Sequence, residues 1–447
     1  MIVFVDDILL GGPPSELFSY TKEILAGRFD VTDLGPAEKY LGWHVTRDRP
    51  TGKLWLSLEP RIMKAVETFQ LAEKGHTSTP LPTDWQVFYP HETDPNNPHR
   101  RPAEGSPDPY SPLLPPDKHT HYRQGVGFIN YAACSLRPDV GYAASQLSLI
   151  LHLPRERHYK AMLHCLRYLA GTADLGLVFD ARQKHQLVAY TDSDYARCKG
   201  TRKSVSGGVL TFAGGPIHWF SKRQKNITLS VTQSEYQALT VGAADVIWVR
   251  DLLAFYGLPE ERPTPMLCDN SGAVYLSKDP IVDQRVRHVG VSMHFVRQEQ
   301  NENHTILVSH ETAEGQLADF LTKPLGRRAL QRNIVMVGMA LRPQHKDKGA
   351  CWNINLVALV LRPSDGRSGG RTKIARRRNI RRAPAAVPTE KNLPDDTWKN
   401  WVDYVSNNPG AHRDRRIGVA AHLLTWERTY PAAGQSADGL ETVYLPT

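Results

Sequence analysis

Four acidic residues between positions 192 and 319 suit metal-dependent chemistry. They are Asp192 in YTDSDYA, Glu235 in TQSEYQAL, Asp269 in CDNSGAVYL and Asp319 in GQLADFLTKPL. Carboxylates that meet in one cleft repel one another, and a hard divalent cation is the simplest compensation. With one or two carboxylates per ion and open positions for water, such a site suits Mg²⁺ and the hydrolysis of phosphodiester bonds.

Only a tertiary fold can bring these residues together, because they lie 43, 34 and 50 positions apart. The sequence pattern predicts that Asp192 and Asp269 end strands, that Glu235 opens a long helix and that Asp319 lies in a last helix beginning at Gly315. Strand ends and helix starts on one edge of a sheet converge, so we expect one shared cleft. Taken singly, an aspartate at a strand end is more often a turn or cap residue than a ligand.

Two further aspartates, Asp6 and Asp7, lie in the opening stretch MIVFVDDILLGG. The apolar residues on both sides predict two strands joined by a tight acidic turn. A helical pattern, PSELFSYTKEILAGRF, follows, and then a hairpin that turns at residues 50–52 and a helix over residues 60–71. Residues 1–79 are therefore predicted to form a small α+β unit. By themselves, two adjacent aspartates usually mark an exposed turn.

Composition changes sharply after this unit. Eleven prolines lie between Pro80 and Pro116, which predicts an extended linker over residues 80–120. Three helical patterns then predict a helical connection over residues 121–171. Short strands, among them LGLVFD and HQLVAYTD, alternate with helices over residues 172–325. This region is predicted to be a mixed sheet with flanking helices, so the fold class is α/β.

The net charge of +9 comes mainly from a short segment near the C-terminus. Residues 361–382 contain eight Arg, one Lys and one Asp. The segment RTKIARRRNIRR is a candidate for binding phosphate backbones or for nuclear import, and the alternative for residues 341–447 is a disordered basic tail. Five dispersed cysteines without a CxxC pair favour a reducing compartment. No apolar run reaches the length of about 18 residues that a membrane helix needs, so we expect an intracellular protein without a membrane partner.

The segments that carry the four acids resemble, in the same order, the ribonuclease H domain of copia-type retrotransposon polyproteins. The resemblance extends upstream through YRQGVGFINYAACSLRPDVGYAASQLS and HYKAMLHCLRYLAGTADLGL to FVDDILLGG and LGPAEKYLGWHV. These last two are similar to the end of the family's reverse transcriptase. The resemblance covers about residues 1 to 340. It implies a partial palm or thumb-like unit over 1–79, a ribonuclease H-like domain over 172–325 and a family-like end over 326–340.

The resemblance also implies the chemistry. Asp192, Glu235, Asp269 and Asp319 become ligands of two Mg²⁺ ions, which Mn²⁺ can replace, in the hydrolysis of RNA paired to DNA. By the family pattern Asp192 contacts both ions, Asp319 serves the nucleophile side, and Glu235 and Asp269 serve the leaving-group side. Asp194 is interpreted as a solvated turn acid, because the family signature uses the first Asp of TDSD.

Seven residues are candidates for contacts with the nucleic acid, with an exposed charged face or a structural role as the alternative for each. They are Lys203, Ser204, Trp219, Lys222, Arg223, His288 and His294. The sequence departs from the family at RHVG, where Gly290 replaces the usual acid. This departure affects local hydrogen bonding rather than the four carboxylates.

FVDD resembles the catalytic hairpin of reverse transcriptases, which makes Asp6 and Asp7 a polymerase remnant. A polymerase needs a further metal-binding Asp and the fingers, so the sequence predicts a C-terminal piece of a polyprotein without polymerase activity of its own. The implied partners are an RNA/DNA hybrid and other Pol and Gag products, in the cytoplasm, within virus-like particles, or in the nucleus. Two alternatives stay open: a decayed remnant that at most binds nucleic acid, and a host-adapted interaction protein that uses the basic tail.

Overall fold

The computed structural model describes residues 1–4, 6–12, 16–87, 111–278, 290–342 and 355–361. The chain divides into two compact units. The first contains residues 1–36 and the strand at 355–361, and the second contains residues 37–342. The division after Pro36 differs from the predicted boundary at residue 79.

The first unit is a four-stranded antiparallel sheet with one helix. Its strands are β1 (Ile2–Phe4), β2 (Asp7–Gly12), β3 (Val31–Pro36) and β14 (Asn355–Leu361), and its helix is α1 (Glu16–Arg28). The predicted hairpin is confirmed, because Phe4 pairs with Asp7. Strand β14 lies between β2 and β3 in the order β1-β2-β14-β3. Part of the predicted tail is therefore a strand, and the rest of that tail beyond Arg342 lies outside the described residues.

The second unit begins with an antiparallel sheet. It contains β4 (Lys39–Tyr40), β5 (Trp43–Asp48), β6 (Lys53–Ser57), β7 (Leu175–Asp180) and β13 (Met339–Leu341), in the order β13-β7-β6-β5-β4. The hairpin between β5 and β6 and the helix α2 (Glu59–Thr68) are as predicted. The segment LGLVFD was expected in the ribonuclease H-like sheet, and that prediction is wrong. Its strand, β7, pairs with β6 and β13 instead. These partners are distant in the sequence, so the local pattern of LGLVFD does not specify them.

Helices form the middle of the unit. They are α3 (Pro116–Ser135), a 3₁₀ turn (Pro138–Val140), α4 (Gly141–Ser148) and α5 (Glu156–Gly171). The helical connection is thus confirmed, but α3 begins inside the range predicted as a linker. Pro116 starts it readily, since the first helical turn needs no backbone N–H there.

The described start of the predicted linker is packed rather than extended in solvent. Leu81, Trp85 and Val87 are buried. The guanidinium of Arg157 donates to the carbonyl oxygens of Gln86, at 2.7 Å, and Val87, at 2.9 Å. Residues 88–110 of that prediction lie outside the described residues.

The remaining elements form a mixed five-stranded sheet with flanking helices, as predicted. The strands are β8 (Val188–Asp194), β9 (Val205–Phe212), β10 (Gly215–Arg223), β11 (Thr264–Cys268) and β12 (Ile306–His310). Their order is β10-β9-β8-β11-β12. Strands β8, β11 and β12 are parallel, and β9 runs antiparallel to both of its neighbours, β8 and β10. The flanking helices are α6 (Val231–Phe255), α7 (Ser271–Lys278), α8 (Gly290–Asn301) and α9 (Arg327–Met336). Among the described residues no helix combines the length and apolar character needed to cross a bilayer.

A buried ion pair joins the helices of the connection. The Arg137 guanidinium donates to both carboxylate oxygens of Asp139, at 2.8 and 2.6 Å, and neither side chain is exposed. Tyr168 donates to Asp139 at 2.8 Å, and Arg137 also donates to the Thr172 carbonyl oxygen at 2.8 Å. This network fixes the end of α3 against the end of α5.

We expect Asp139→Asn to lower the free energy of unfolding by about 3–5 kcal/mol, because it leaves the Arg137 charge buried without its counter-ion. Urea denaturation of the full chain measures the change. The matched control is Glu156→Gln, which breaks the partly exposed Lys118–Glu156 pair at 3.5 Å and should cost about 1 kcal/mol or less. Equal losses in the two variants would contradict this role for the buried pair.

Candidate metal centre

The structure brings the four predicted carboxylates to one edge of the mixed sheet. Asp192 lies near the end of β8, and Asp269 follows the last residue of the parallel neighbour β11. Carboxylate oxygens of Asp192, Asp269 and Asp319 lie within 4.8 Å of one another. Parallel strands end at the same sheet edge, which explains how residues 77 positions apart meet. Their roles as metal ligands stay a prediction.

Glu235 reaches the same edge from the first turns of α6. Its carboxylate accepts a hydrogen bond from the backbone N–H of Ser193 at 3.2 Å, and the Cys268 thiol lies 3.9 Å from its other oxygen. Glu235, Cys268 and Asp269 form a second group with ligand atoms within 4.8 Å. The helix packs closely on β8 because Gly242 has no side chain. A Cβ there would lie 2.5 Å from the Thr191 methyl group.

Asp319 is carried by a short turn, not by the predicted helix from Gly315. The 3₁₀ turn covers Asp319–Leu321, and the next helix begins only at Arg327. The Gln316 side chain holds the preceding segment, since its amide donates to the Thr191 carbonyl oxygen at 3.0 Å and its oxygen accepts from Ala318 at 3.1 Å. The first of these bonds joins the segment to β8, and the second fixes the backbone just before Asp319.

The residues after the turn complete the site. The Thr322 hydroxyl donates to the Asp192 carboxylate. The Lys323 ammonium lies 2.8 Å from Asp319 Oδ1 and 3.6 Å from Asp192 Oδ2. The turn fits against β9 because Gly207 has no Cβ, which would lie 2.6 Å from the Thr322 methyl group. Sequence reasoning missed Lys323, although its spacing of four positions from Asp319 is a signal for an ion pair.

The electrostatics show that the cluster carries more negative charge than its surroundings stabilise. Burial, and then Asp192 and Asp269, raise the pKa of Glu235 to about 9. Burial and Asp192 raise the pKa of Asp319 to about 6, against the opposing effect of Lys323. The pKa of Asp269 is raised by burial and by Asp192.

This donor set fits Mg²⁺ or Mn²⁺. The ligand atoms offered by three of the four carboxylates are close enough for shared ions, and hard divalent cations prefer oxygen. The Cys268 thiol fits less well as a ligand, because burial and then Glu235 raise its pKa and disfavour the thiolate that binds metals.

Asp194 differs from the solvated turn acid that was expected. It is the last residue of β8, its side chain is 17% exposed, and it lies 3.3 Å from the Arg197 guanidinium. Burial raises its pKa to about 6. The alternation of the strand explains the burial, because Asp192 and Asp194 point to the same side.

The candidate nucleic-acid contacts that the structure describes differ in how exposed they are. Lys222 and His294 are exposed, and Lys203 and Arg223 are half-buried. Ser204 is fully buried, and its hydroxyl accepts from the Ala196 N–H at 3.1 Å.

Trp219 donates its indole N–H to the Ala133 carbonyl oxygen at 2.6 Å, which ties β10 to α3. Ser204 and Trp219 both make structural hydrogen bonds, and their role as nucleic-acid contacts stays a prediction. His288 lies outside the described residues.

Asp6 lies in the turn of the β1–β2 hairpin that the sequence predicts, and Asp7 is the first residue of β2, where it pairs with Phe4. Asp6 is exposed. Neither belongs to a group of three or more potential metal ligands among the residues that the structure describes.

We expect Glu235→Gln to change how stability depends on pH when EDTA removes metal ions. The folded state raises the Glu235 pKa from 4.5 to about 9, so the folded protein holds a proton that the unfolded chain releases, and stability falls as pH rises through that window. Gln removes this loss. Denaturation curves should coincide below about pH 4.5 and differ by roughly 3–5 kcal/mol in favour of the variant near pH 8. A constant difference across the pH range would contradict the raised pKa.

No protein-family model matches the sequence. The chain is 33% identical over 343 residues to the retrovirus-related Pol polyprotein from transposon RE1 of Arabidopsis thaliana, a match that covers 77% of this chain and 22% of that protein. It is 33% identical over 343 residues to the corresponding polyprotein from transposon TNT 1-94 of Nicotiana tabacum, with 76% and 24% covered. The chain thus spans about a fifth to a quarter of these relatives' length.

Among solved structures, LC11-RNase H1, isolated from compost by a metagenomic approach, aligns with a TM-score of 0.26 and 17% identity. That match covers 34% of this chain and 99% of the solved one. The sequence relatives confirm the resemblance that the motifs indicate, and the matches cover 77% and 76% of this chain. This chain belongs to the retrovirus-related Pol polyproteins of copia-type transposons.

Proposed function

We propose that this protein hydrolyses the RNA strand of RNA/DNA hybrids, as a ribonuclease H-type endonuclease that uses two Mg²⁺ ions. The observation that carries the proposal is the convergence of four carboxylates, two of them almost fully buried, at the end of two parallel strands. Their raised pKa values mark a charge imbalance that divalent cations relieve. The membership of the family supports the choice of substrate.

The roles proposed for the four carboxylates follow the family pattern. Bound ions would supply an activated water and stabilise the departing 3′ oxygen. Asp192 is central, since its oxygens lie near both Asp269 and Asp319, and the Thr322 hydroxyl holds its orientation. Asp319 would serve the side of the attacking water. Glu235 and Asp269 would serve the leaving-group side, with Glu235 oriented by the Ser193 N–H.

A basic rim beside the site supports a nucleic-acid substrate. Asp194 pairs with Val205, and Val205 pairs with Arg223, so the starts and ends of three strands meet at the edge that carries Asp192. This edge and its loops carry several cationic residues: Lys199, Arg202, Lys203, Lys222, Arg223 and Lys225. Cations so arranged attract a phosphate backbone, and contacts to the 2′-hydroxyl would select the RNA strand.

The test is cleavage of a labelled RNA/DNA hybrid by the full chain with Mg²⁺ or Mn²⁺. We expect metal-dependent cutting of the RNA strand only, and a loss of about a hundredfold or more in Asp192→Asn and Asp269→Asn, because each removes charge that holds the ions. RNA/RNA and DNA/DNA duplexes of the same sequence test the selectivity.

Asp245→Asn is the matched control, since Asp245 pairs with His218 at 3.1 Å and belongs to neither carboxylate group. It should retain activity. Folded protein that binds the hybrid without cutting it would contradict the proposal and favour a non-catalytic nucleic-acid-binding remnant.

We also propose that this chain alone does not extend a primer. Polymerase chemistry needs a third carboxylate beside the pair at Asp6 and Asp7, and the described residues place no such group of three there. Incubation with a primed RNA template, deoxynucleotides and Mg²⁺ should give no longer product. Extension that Asp6→Asn abolishes would overturn this expectation.

A further inference from the structure

Lys323 holds an unusual position among the acidic residues. Its ammonium bridges Asp319 and Asp192, at 2.8 and 3.6 Å, and its backbone N–H donates to the Asp319 carbonyl oxygen at 3.1 Å. The cation is therefore carried by the same turn as one of the carboxylates it contacts. Phe320 and Leu321 anchor that turn in the core.

We propose that Lys323 is a tethered counter-ion that competes with a divalent cation for the oxygens of Asp192 and Asp319. The inference rests on the proposed function, because that function requires metal ions at these carboxylates. An ammonium and a divalent ion repel each other, and the repulsion is strong at separations of a few ångströms in a partly buried site. The ammonium must therefore withdraw before an ion binds between the two carboxylates.

The side chain is able to withdraw without unfolding the site. The Lys323 side chain is 30% exposed, and its four-carbon stem is flexible. The turn itself is fixed separately, through Gln316 and Thr322. Movement of one side chain is enough to exchange one cation for another. Lys323 thus protects the carboxylates from mutual repulsion at low metal concentration and weakens metal binding.

Binding of Mn²⁺ to the full chain without nucleic acid, measured by calorimetry, tests the competition. Lys323→Met should raise the affinity for Mn²⁺ about tenfold or more, because it removes the competing charge. Its melting temperature should fall in EDTA and rise more steeply with Mn²⁺ than that of the unaltered protein. Lys118→Met is the control, since Lys118 pairs with Glu156 away from the carboxylates, and it should leave Mn²⁺ binding unchanged.

A measurement on the unaltered protein covers the case in which the variant does not fold. Acylation of lysines, read by peptide mass spectrometry, should increase at Lys323 when Mn²⁺ is added and stay constant at Lys118. Equal or weaker Mn²⁺ binding in a folded Lys323→Met variant, or unchanged labelling of Lys323, would overturn the inference.

The two proposals fail in distinguishable ways. Protein that binds Mn²⁺ and cuts the hybrid, but shows no effect of Lys323, retains the nuclease function without the competition. Protein that neither binds Mn²⁺ nor cuts overturns both proposals.

Discussion

Repulsion between buried and partly buried carboxylates is the constraint that governs this site. Asp192 and Glu235 are 2% and 3% exposed, so water does little to screen them. Among the described residues, the Lys323 ammonium, the Ser193 N–H, the Thr322 hydroxyl and, at 3.9 Å, the Cys268 thiol contact these carboxylates. These contacts do not restore ordinary pKa values to Glu235 and Asp319. A divalent cation would complete the balance, and the same imbalance makes the cluster costly when no ion is bound.

The sheet keeps the acids together against this repulsion. Its backbone hydrogen bonds fix β8 beside β11, and helix α6 approaches β8 through Gly242. On β9, the other neighbour of β8, Gly207 leaves room for the turn that carries Asp319. A side chain at either glycine would push a carboxylate away from the others. The geometry of the site thus depends on two positions where the chain has no Cβ.

The helical connection packs against the turn that carries Asp319. A Cβ at Gly141 would lie 2.9 Å from the Leu321 side chain, so the start of α4 packs directly on the turn of Asp319. The buried pair of Arg137 and Asp139 fixes the chain immediately before α4. The Arg197 guanidinium, beside Asp194, also donates to the Thr83 carbonyl oxygen at 3.0 Å. The connection and residues 80–87 therefore belong to the scaffold of the mixed sheet.

Local pattern in the sequence determines most of the strands and helices, the hairpin at Asp6 and the identity of the four acids. These features depend on residues close in sequence, on alternation and on recognisable motifs. The tertiary structure alone decides which sheet contains Leu175–Asp180, that Ser204 is buried, that Asp319 lies in a short turn, and that Lys323 joins the carboxylates. Strand pairing, burial and charge contacts join residues that are distant along the chain, so no local pattern specifies them.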